Sequence, residues 1–406
     1  MKQIRNVVVV CDYAFFEGGA ANVALKTALA LSEHTSLNIY CFAGSGDTCK
    51  ELLTSRVKTI ALGLPDLKGN KNKIDAFIKG IYNKKVEKEM DTLLSSLNPE
   101  ETIIHIHSWT KILSSAVFRS IEKNHFPVFL TIHDYFLACP NGACYDYVHN
   151  KICEKTPLSS SCVLCNCDSR SYPQKLWRCL RQIRQNKVIR HNKALNYIFI
   201  SDYQQKQLIR RLPPINKMHK VKNPINVQNR FKVFAEKNTN YLYIGRLTKE
   251  KGPQLFCEAV KRSGVKGVVI GDGILMDELK YYYPDITFLG WMSREDIVEQ
   301  LKQTRSLIFP TLWYEGSPLT VPEVQAYGIP CIITDCSSAT DDIKNGINGE
   351  IISANIESLK EAILRFEDNR YVCRLSKNTY EMFDEKRIND KRYVENLISV
   401  YNDFIF

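Results

Sequence analysis

The sequence predicts an α/β protein of two domains, and three observations carry that expectation. A chain of 406 residues is long enough for two ordinary α/β domains, each with a core of its own. An apolar strand over 6–11 runs into adjacent glycines, Gly18 and Gly19, and then into a helix reaching about Leu31. The same order of strand, glycine turn and helix returns at 241–260, after a proline-broken connector at 210–226. Proline removes a backbone donor and restricts its neighbour, so the boundary falls in that connector. The expected units are 1–222, 223–385 and a closing segment 386–406. That segment has helical periodicity at Ile388, Tyr393, Leu397, Val400 and Tyr401 and is expected to return to the first unit.

Composition narrows the function classes. The net charge is +11, but residues 1–222 hold 32 Lys and Arg against 18 Asp and Glu, which leaves 23 against 26 for the rest. The first half is therefore expected to favour polyanions or an anionic membrane surface, and the second is nearly neutral. No run of 18 apolar residues occurs, so neither a membrane span nor an evident secretion signal is expected. Fourteen cysteines without such a signal imply a reducing compartment, where clustered thiols suggest metal more than disulfides.

In the first half, Gly18 and Gly19 let a backbone approach a ligand closely and aim helix N–H groups at it, although a tight turn has the same composition. They lack the G-x-G-x-x-G spacing of a dinucleotide fold. Residues 68–88 read as one amphipathic helix with a lysine-rich face. Strand ends deliver His105, His107 and Ser108, then His133 and Asp134, to the carboxyl edge of the sheet. Six cysteines follow within 139–167, enough to saturate a tetrahedral zinc, although the spacing is that of no standard finger and reduced, unligated thiols are equally open. Residues 170–193 contain eight Lys and Arg, no acid, and Leu176, Trp177, Leu180 and Ile183 between them. Such a helix can lay Trp and Leu among headgroups while its cations meet phosphates, or serve RNA or DNA phosphates, or form a solvated core helix.

In the second half, Arg246 and Lys251 are five apart across a tight turn at a helix start, where a guanidinium and an ammonium suit a diphosphate. Gly271 and Gly273 make a strand-end turn that can admit a nucleotide, and Trp291 would stand beside the base. The stretch from Ile308 to Pro330 reads as a buried strand, a loop, then a helix that starts between Ser317 and Val321 and stops at Gly328. It sets Glu315 in the loop and Glu323 in the first turns of the helix. Two carboxylates beside backbone amides that attract anions need another task, and sugar hydroxyls are the natural one. The competing reading is a solvated pair or a helix cap.

This stretch resembles the Glu-x7-Glu signature of retaining, family 4 type glycosyltransferases of the GT-B fold, and Gly245-Arg246-Leu247 with Lys251-Gly252 resembles that family's diphosphate motif. The resemblance implies two Rossmann-like domains facing across a cleft, with a C-terminal helix crossing back. It implies Arg246, Lys251, His133 and Glu315 as catalytic residues. It implies donor contacts from Gly18, Gly19, Gly271, Gly273, Trp291, Gly316, Ser317, Pro318, Leu319 and Glu323. Pro322 departs from the pattern and is expected to delay the helix start by one or two residues. The cysteine segment is similar to insertions in some bacterial polysaccharide transferases, which points to Cys139, Cys153, Cys162, Cys165 and Cys167 as a structural zinc set. Transfer itself is implied to need no cofactor. The expected partners are a nucleotide diphosphate sugar, a lipid-linked saccharide and an anionic inner-leaflet surface, with no nucleic acid. The expected location is cytoplasmic and peripheral on the inner membrane. The alternatives are a zinc-dependent polyanion or nucleic-acid binder and a GT-B sugar-nucleotide epimerase.

Overall fold

The computed structural model describes residues 3–213, 217–225, 227, 229–383 and 389–405. Thirteen of its strands form two parallel sheets. The first contains β1 (Asn6–Cys11), β2 (Asn38–Ala43), β3 (Lys58–Ala61), β4 (Thr102–Ile106) and β5 (Val128–Thr131). A small antiparallel hairpin, β6 (Tyr145–Asp146) with β7 (Lys151–Ile152), interrupts it before β8 (Leu195–Phe199) and β9 (Lys217–Lys220) close the order β3-β2-β1-β4-β5-β8-β9. The second contains β10 (Asn240–Ile244), β11 (Lys266–Ile270), β12 (Thr287–Gly290), β13 (Thr304–Phe309), β14 (Cys331–Thr334) and β15 (Gly349–Ile352), ordered β12-β11-β10-β13-β14-β15.

Helices cover both faces of the sheets, so a central strand such as β1, with five of its six residues buried, is an unbroken apolar run rather than an alternating one. In each sheet the strand order reverses beside the first strand, between β1 and β4 and again between β10 and β13. Loops leaving the carboxyl ends there diverge and open a crevice, which is where ligands of such sheets bind.

Four local expectations change. Residues 68–88 do not form one helix. Asn83 accepts from the amides of Lys85 and Val86 and starts a new helix, Lys84–Leu94, after Lys73–Ile81 ends at the extended Tyr82. Residues 197–201 read in the sequence as the last strand of the first half, but β9, inside the connector, pairs in parallel with the strand there, β8. Residues 341–350 read as a turn and hairpin, but β15 lies parallel to β14. Pro322 does not delay its helix, Thr320–Gln325, because it sits in the first turn, where the missing N–H has no intrahelical partner anyway. Asn226, Ile388 and the boundary at 386 lie outside the described residues.

The closing helix, Asp390–Ile405, packs on the first domain. Tyr393 meets Thr27 Oγ1 at 2.8 Å, and Tyr401 meets His105 Nδ1 at 2.6 Å. The two domains also touch directly. Ser201 Oγ donates to the Gly316 carbonyl at 2.7 Å, and the amides of Asp202 and Tyr203 donate to Asp341 Oδ2 at 2.9 and 3.2 Å.

Candidate active site

The site is built at the switch point of the second sheet. Gly252 adopts a left-handed φ of 70°, and a Cβ there would run into the Pro310 carbonyl, so only glycine lets the loop after β10 lie against the loop after β13. Glu250 O accepts from the Leu312 amide at 2.8 Å and clamps the two loops together. The clamp brings Lys251 Nζ onto Glu315 Oε2 as an ion pair, with both side chains about 15% exposed. Trp313 Nε1 donates to the same oxygen at 2.8 Å, and its ring lies 5.2 Å from Lys251 Nζ. The Trp313 ring also meets Tyr135 of the first domain edge-on at 6.3 Å. Arg246 stands at the rim, 65% exposed, 3.7 Å from Glu250. Lys251 and Glu315 therefore meet, while Arg246 reaches the same loop through Glu250.

Glu323 lies further along the gap, on the helix Thr320–Gln325, 3.3 Å from Arg294. Burial pushes its pKa up, opposed by the charges of Arg294 and of Lys26. Lys26 belongs to the helix Gly18–His34 of the first domain, so Glu323 faces the element that Gly18 and Gly19 begin. A Cβ on either glycine would meet nothing within 4 Å, so neither is required by packing at that position, though Gly18 also has a left-handed φ of 72°. Gly271 and Gly273 differ. A Cβ on Gly271 would strike the Gly245 carbonyl, and one on Gly273 would come within 2.5 Å of Leu247 O, so packing alone demands glycine there. Gly316 is pressed against Gln204 Nε2 of the first domain. Ser317, Pro318 and Leu319 line a cavity of about 380 Å³ with Ser201 and Asp342. Trp291 is 80% exposed beyond β12.

Across the gap, three imidazoles are stacked at the carboxyl edge of the first sheet. His105 and His107 have ring centroids 4.1 Å apart, and His107 and His133 lie 5.1 Å apart with His107 Nδ1 2.8 Å from His133 Nε2. Burial pushes His105 and His133 down to about 3 and His107 well below its ordinary value, so all three are neutral near pH 7. His107 Nε2 is buried with no hydrogen-bond partner. Placing the proton of His107 on Nδ1 avoids burying an orphan N–H, and it leaves His133 protonated on Nδ1. Asp134 accepts from the Phe136 amide at 3.0 Å, and burial raises it to about 6. His107 and Ser108, candidates for acceptor contacts by their place at a strand end, differ in burial, His107 being buried and Ser108 half-buried. His107 is 2% exposed behind His133, and Ser108 Oγ accepts the Asp12 amide at 2.9 Å.

Packing bears on two other expectations. Cys139, Cys153, Cys162, Cys165 and Cys167 are not drawn into one tetrahedral set, and among the described residues no three His, Cys, Asp or Glu side chains are grouped to hold a metal ion. The buried ammonium of Lys175 instead reaches Cys167 Sγ at 3.0 Å and Cys162 Sγ at 3.7 Å, a cation where a metal cation would be repelled. The basic helix, Tyr172–His191, turns Lys175, Arg178 and Arg181 inward and leaves Lys187 and Arg190 exposed. Arg178 pairs with the buried Asp168 at 2.9 Å, Arg181 lies 4.6 Å over Phe136, and Arg184 lies 4.5 Å over Tyr82. Trp177, expected among headgroups, is 9% exposed.

Trp313, Lys26 and Arg294 are the site residues that sequence reading passed over. Trp313 lies two positions before Glu315 and could have been found from that spacing. Lys26 and Arg294 reach the site only through tertiary folding.

Comparison with known proteins agrees with this geometry. The family described as Glycosyl transferases group 1 matches residues 226–387, the half that carries Arg246, Lys251, Glu315 and Glu323. The chain is 34% identical over 164 residues to the UDP-Gal:alpha-D-GlcNAc-diphosphoundecaprenol alpha-1,3-galactosyltransferase of Escherichia coli, covering 36% of this chain and 42% of that protein. It is 29% identical over 182 residues to the lipopolysaccharide 1,6-galactosyltransferase of Salmonella typhimurium, covering 40% and 51%. The chain thus spans about half the length of the curated relatives it matches. Anabaena Alr3699/HepE in complex with UDP and glucose superposes with a TM-score of 0.68 at 13% identity, over 98% of this chain and 100% of that one. The architecture is the GT-B fold, two α/β domains with parallel sheets on either side of a cleft.

Proposed function

We propose that this protein is a retaining, family 4 type glycosyltransferase that moves a sugar from a nucleotide diphosphate sugar to a lipid-linked saccharide in surface polysaccharide assembly. The observation that carries the reading is the meeting of Lys251 and Glu315 at the switch point, beside Trp313, which touches Tyr135 of the first domain, with Arg246 at the rim on Glu250. The two relatives named above act, by their names, on a diphosphoundecaprenol-linked sugar and on lipopolysaccharide, which supports a lipid-borne acceptor. No described helix is long and apolar enough to cross a membrane, so contact with an anionic inner leaflet would be peripheral and the protein cytoplasmic.

In this mechanism the bond from the anomeric carbon to the diphosphate oxygen breaks, and the negative charge that grows on the diphosphate is the quantity to stabilise. Arg246 supplies a guanidinium fork at the rim. Lys251 supplies an ammonium with three donors, of which the contact with Glu315 uses one. Glu315, held by Trp313, offers its carboxylate to hydroxyls of the transferred sugar, and Glu323 offers its own to the ribose. Gly18 and Gly19 would leave room for the donor beside the first helix, Gly316 to Leu319 would turn backbone toward the diphosphate, and Trp291 would stand beside the base. Neutral His133, protonated on Nδ1, can donate to a sugar oxygen. Among the described residues no side chain stands out as a nucleophile, and the step proposed is departure and attack on the same face, with the acceptor proton passing to the leaving phosphate. The cations fill the electrophilic role without a metal, and EDTA should leave the rate unchanged.

The test is a screen of UDP, GDP and ADP sugars with a polyprenyl-diphosphate saccharide, reading free nucleotide diphosphate and product mass. Release that requires the acceptor supports transfer. Release without an acceptor, or no melting shift with any nucleotide, sinks the proposal.

A further inference from the structure

The inward turn of the arginines leaves an uncovered surface on the opposite side of the helix Tyr172–His191. Leu176, Leu180 and Ile183 follow one another at helical spacing and are 37, 53 and 53% exposed. The neighbouring helix Lys73–Ile81 exposes Ile74, Phe77 and Ile78 at 74, 48 and 59%. Trp177 joins the two helices. Its Nε1 donates to the Phe77 carbonyl at 3.1 Å, its ring lies 6.0 Å from that of Phe77, and a Cβ on Gly80 would come within 2.5 Å of it. The helices therefore lie side by side at close range, and their exposed stripes border each other. Among the described residues no segment covers these six side chains, since the closing helix packs elsewhere, on the helix Gly18–His34. Monomeric proteins rarely leave so large an apolar patch bare without a partner for it.

Charge identifies the partner. Lys71 precedes the shorter helix and Lys84 and Lys85 follow it, all three exposed, as are Lys187 and Arg190 at the end of the longer helix. The one acid on the shorter helix, Asp75, is already paired with Lys79 at 2.8 Å, and the longer helix contains no acid. We propose that these two helices form a membrane-docking face, which seats its six apolar side chains in an anionic lipid surface while the surrounding lysines meet lipid phosphates. Apolar side chains at this depth with a cationic rim are what an interfacial helix uses to lie in a bilayer surface. The leucines face out as the sequence reading has them, whereas Trp177, Arg178 and Arg181 face in. In biological sense the proposal rests on the lipid-linked acceptor reading, because docking would hold the cleft near such a substrate.

The test is co-sedimentation of the full chain with vesicles of phosphatidylcholine, alone and with phosphatidylglycerol. Native protein is expected to bind the anionic vesicles and to lose most of that binding in about 0.5 M salt, where charges are screened within a few ångströms. Ile78→Ser with Leu180→Ser and Ile183→Ser should lower binding at least tenfold with an unchanged melting temperature, because these side chains are exposed. Lys71→Glu with Lys84→Glu and Lys85→Glu should weaken binding to anionic vesicles only. Failure of the native protein to bind anionic vesicles at low salt overturns the proposal. So does a native dimer in sedimentation analysis that the serine variant abolishes without any vesicle binding. Transfer to a water-soluble acceptor, measured in the serine variant, separates the two proposals. Vesicle binding with no transfer by the native protein keeps the face and removes the function, and the converse removes the face alone.

Discussion

Two regions of this molecule concentrate positive charge, and they use it in opposite ways. The helix Tyr172–His191 is the most basic stretch of the chain, yet Arg178, Arg181 and Lys175 are spent inside the first domain on Asp168, Phe136 and two thiols. The turn after β10 has few cations, but Arg246 stays at the rim of the cleft and Lys251 stands on its wall beside Glu315. Charge density along a sequence thus says little about which cations a ligand can reach. What decides is whether a folded neighbour has already answered them. A buried arginine must be paired or stacked to offset its desolvation, and once paired it belongs to the core.

The sharpest way to break this comparison is to remove one cation from each region. Arg246→Ala should lower kcat by roughly a hundredfold to a thousandfold, the cost of losing one preorganised charge-stabilising group, with no change in melting temperature. A near-normal kcat would end the electrostatic account of the cleft. Arg178→Ala should do the reverse. It strands the Asp168 carboxylate inside the domain and should cost about 3 kcal/mol or more of stability, read as a lower denaturant midpoint, while the KM for the nucleotide sugar stays near normal. If Arg178→Ala left stability intact but weakened donor binding, the assignment of this helix to the core would be wrong.

Acid should act on the first domain before it acts on the cleft cations. His105, His107 and His133 are depressed by burial, so the unfolded chain takes up their protons below about pH 6.5 while the folded chain refuses them. Their contribution is whole above that pH and is lost as pH falls toward 3. Asp134 works in the other sense. Its carboxyl, raised to about 6, keeps a proton in the folded state that the unfolded chain releases near 4, so it favours the fold on the acid side and loses that advantage as pH rises to 6. Three imidazoles against one carboxyl leave about two protons net, or about 2 to 3 kcal/mol per pH unit between pH 6 and 4 as an upper figure. Denaturant midpoints at pH 7.5, 5.5 and 4.5 would show it, and a flat series would mean that the stack titrates in the fold.

The smallest expected effect sharpens the cleft itself. Trp313→Phe keeps a ring against Tyr135 but removes the donor to Glu315, a charge-assisted bond of about 1 to 2 kcal/mol. The loss should appear as a fall of about tenfold in kcat/KM for the donor sugar, without a change in nucleotide diphosphate affinity. If affinity for the bare diphosphate fell equally, Glu315 would be serving Lys251 rather than the sugar.

Most of the strand and helix order was legible in the sequence, and so were the two loops that bring Lys251 to Glu315. The breaks were less legible. Asn83 ends one helix and caps the next, but residues 68–88 keep a helical period across it, so the pattern hides the joint. β9 is a short edge strand whose one apolar residue is Met218, exposed apart from a half-buried His219, and without an apolar run nothing announces it. The stack of His105, His107 and His133 needs two adjacent strands in register, which spacing along one strand cannot show.

By itself the sequence determined the two-domain α/β order, the glycine turns and the acids of the second domain, because those follow from side-chain periodicity and backbone freedom within a few residues. Tertiary structure alone decided which cations face inward, that Cys162 and Cys167 meet the ammonium of Lys175, and that Arg294 pairs with Glu323 within reach of the charge of Lys26. Those outcomes turn on the desolvation of charge against neighbours far away in the chain, and no local pattern encodes that balance.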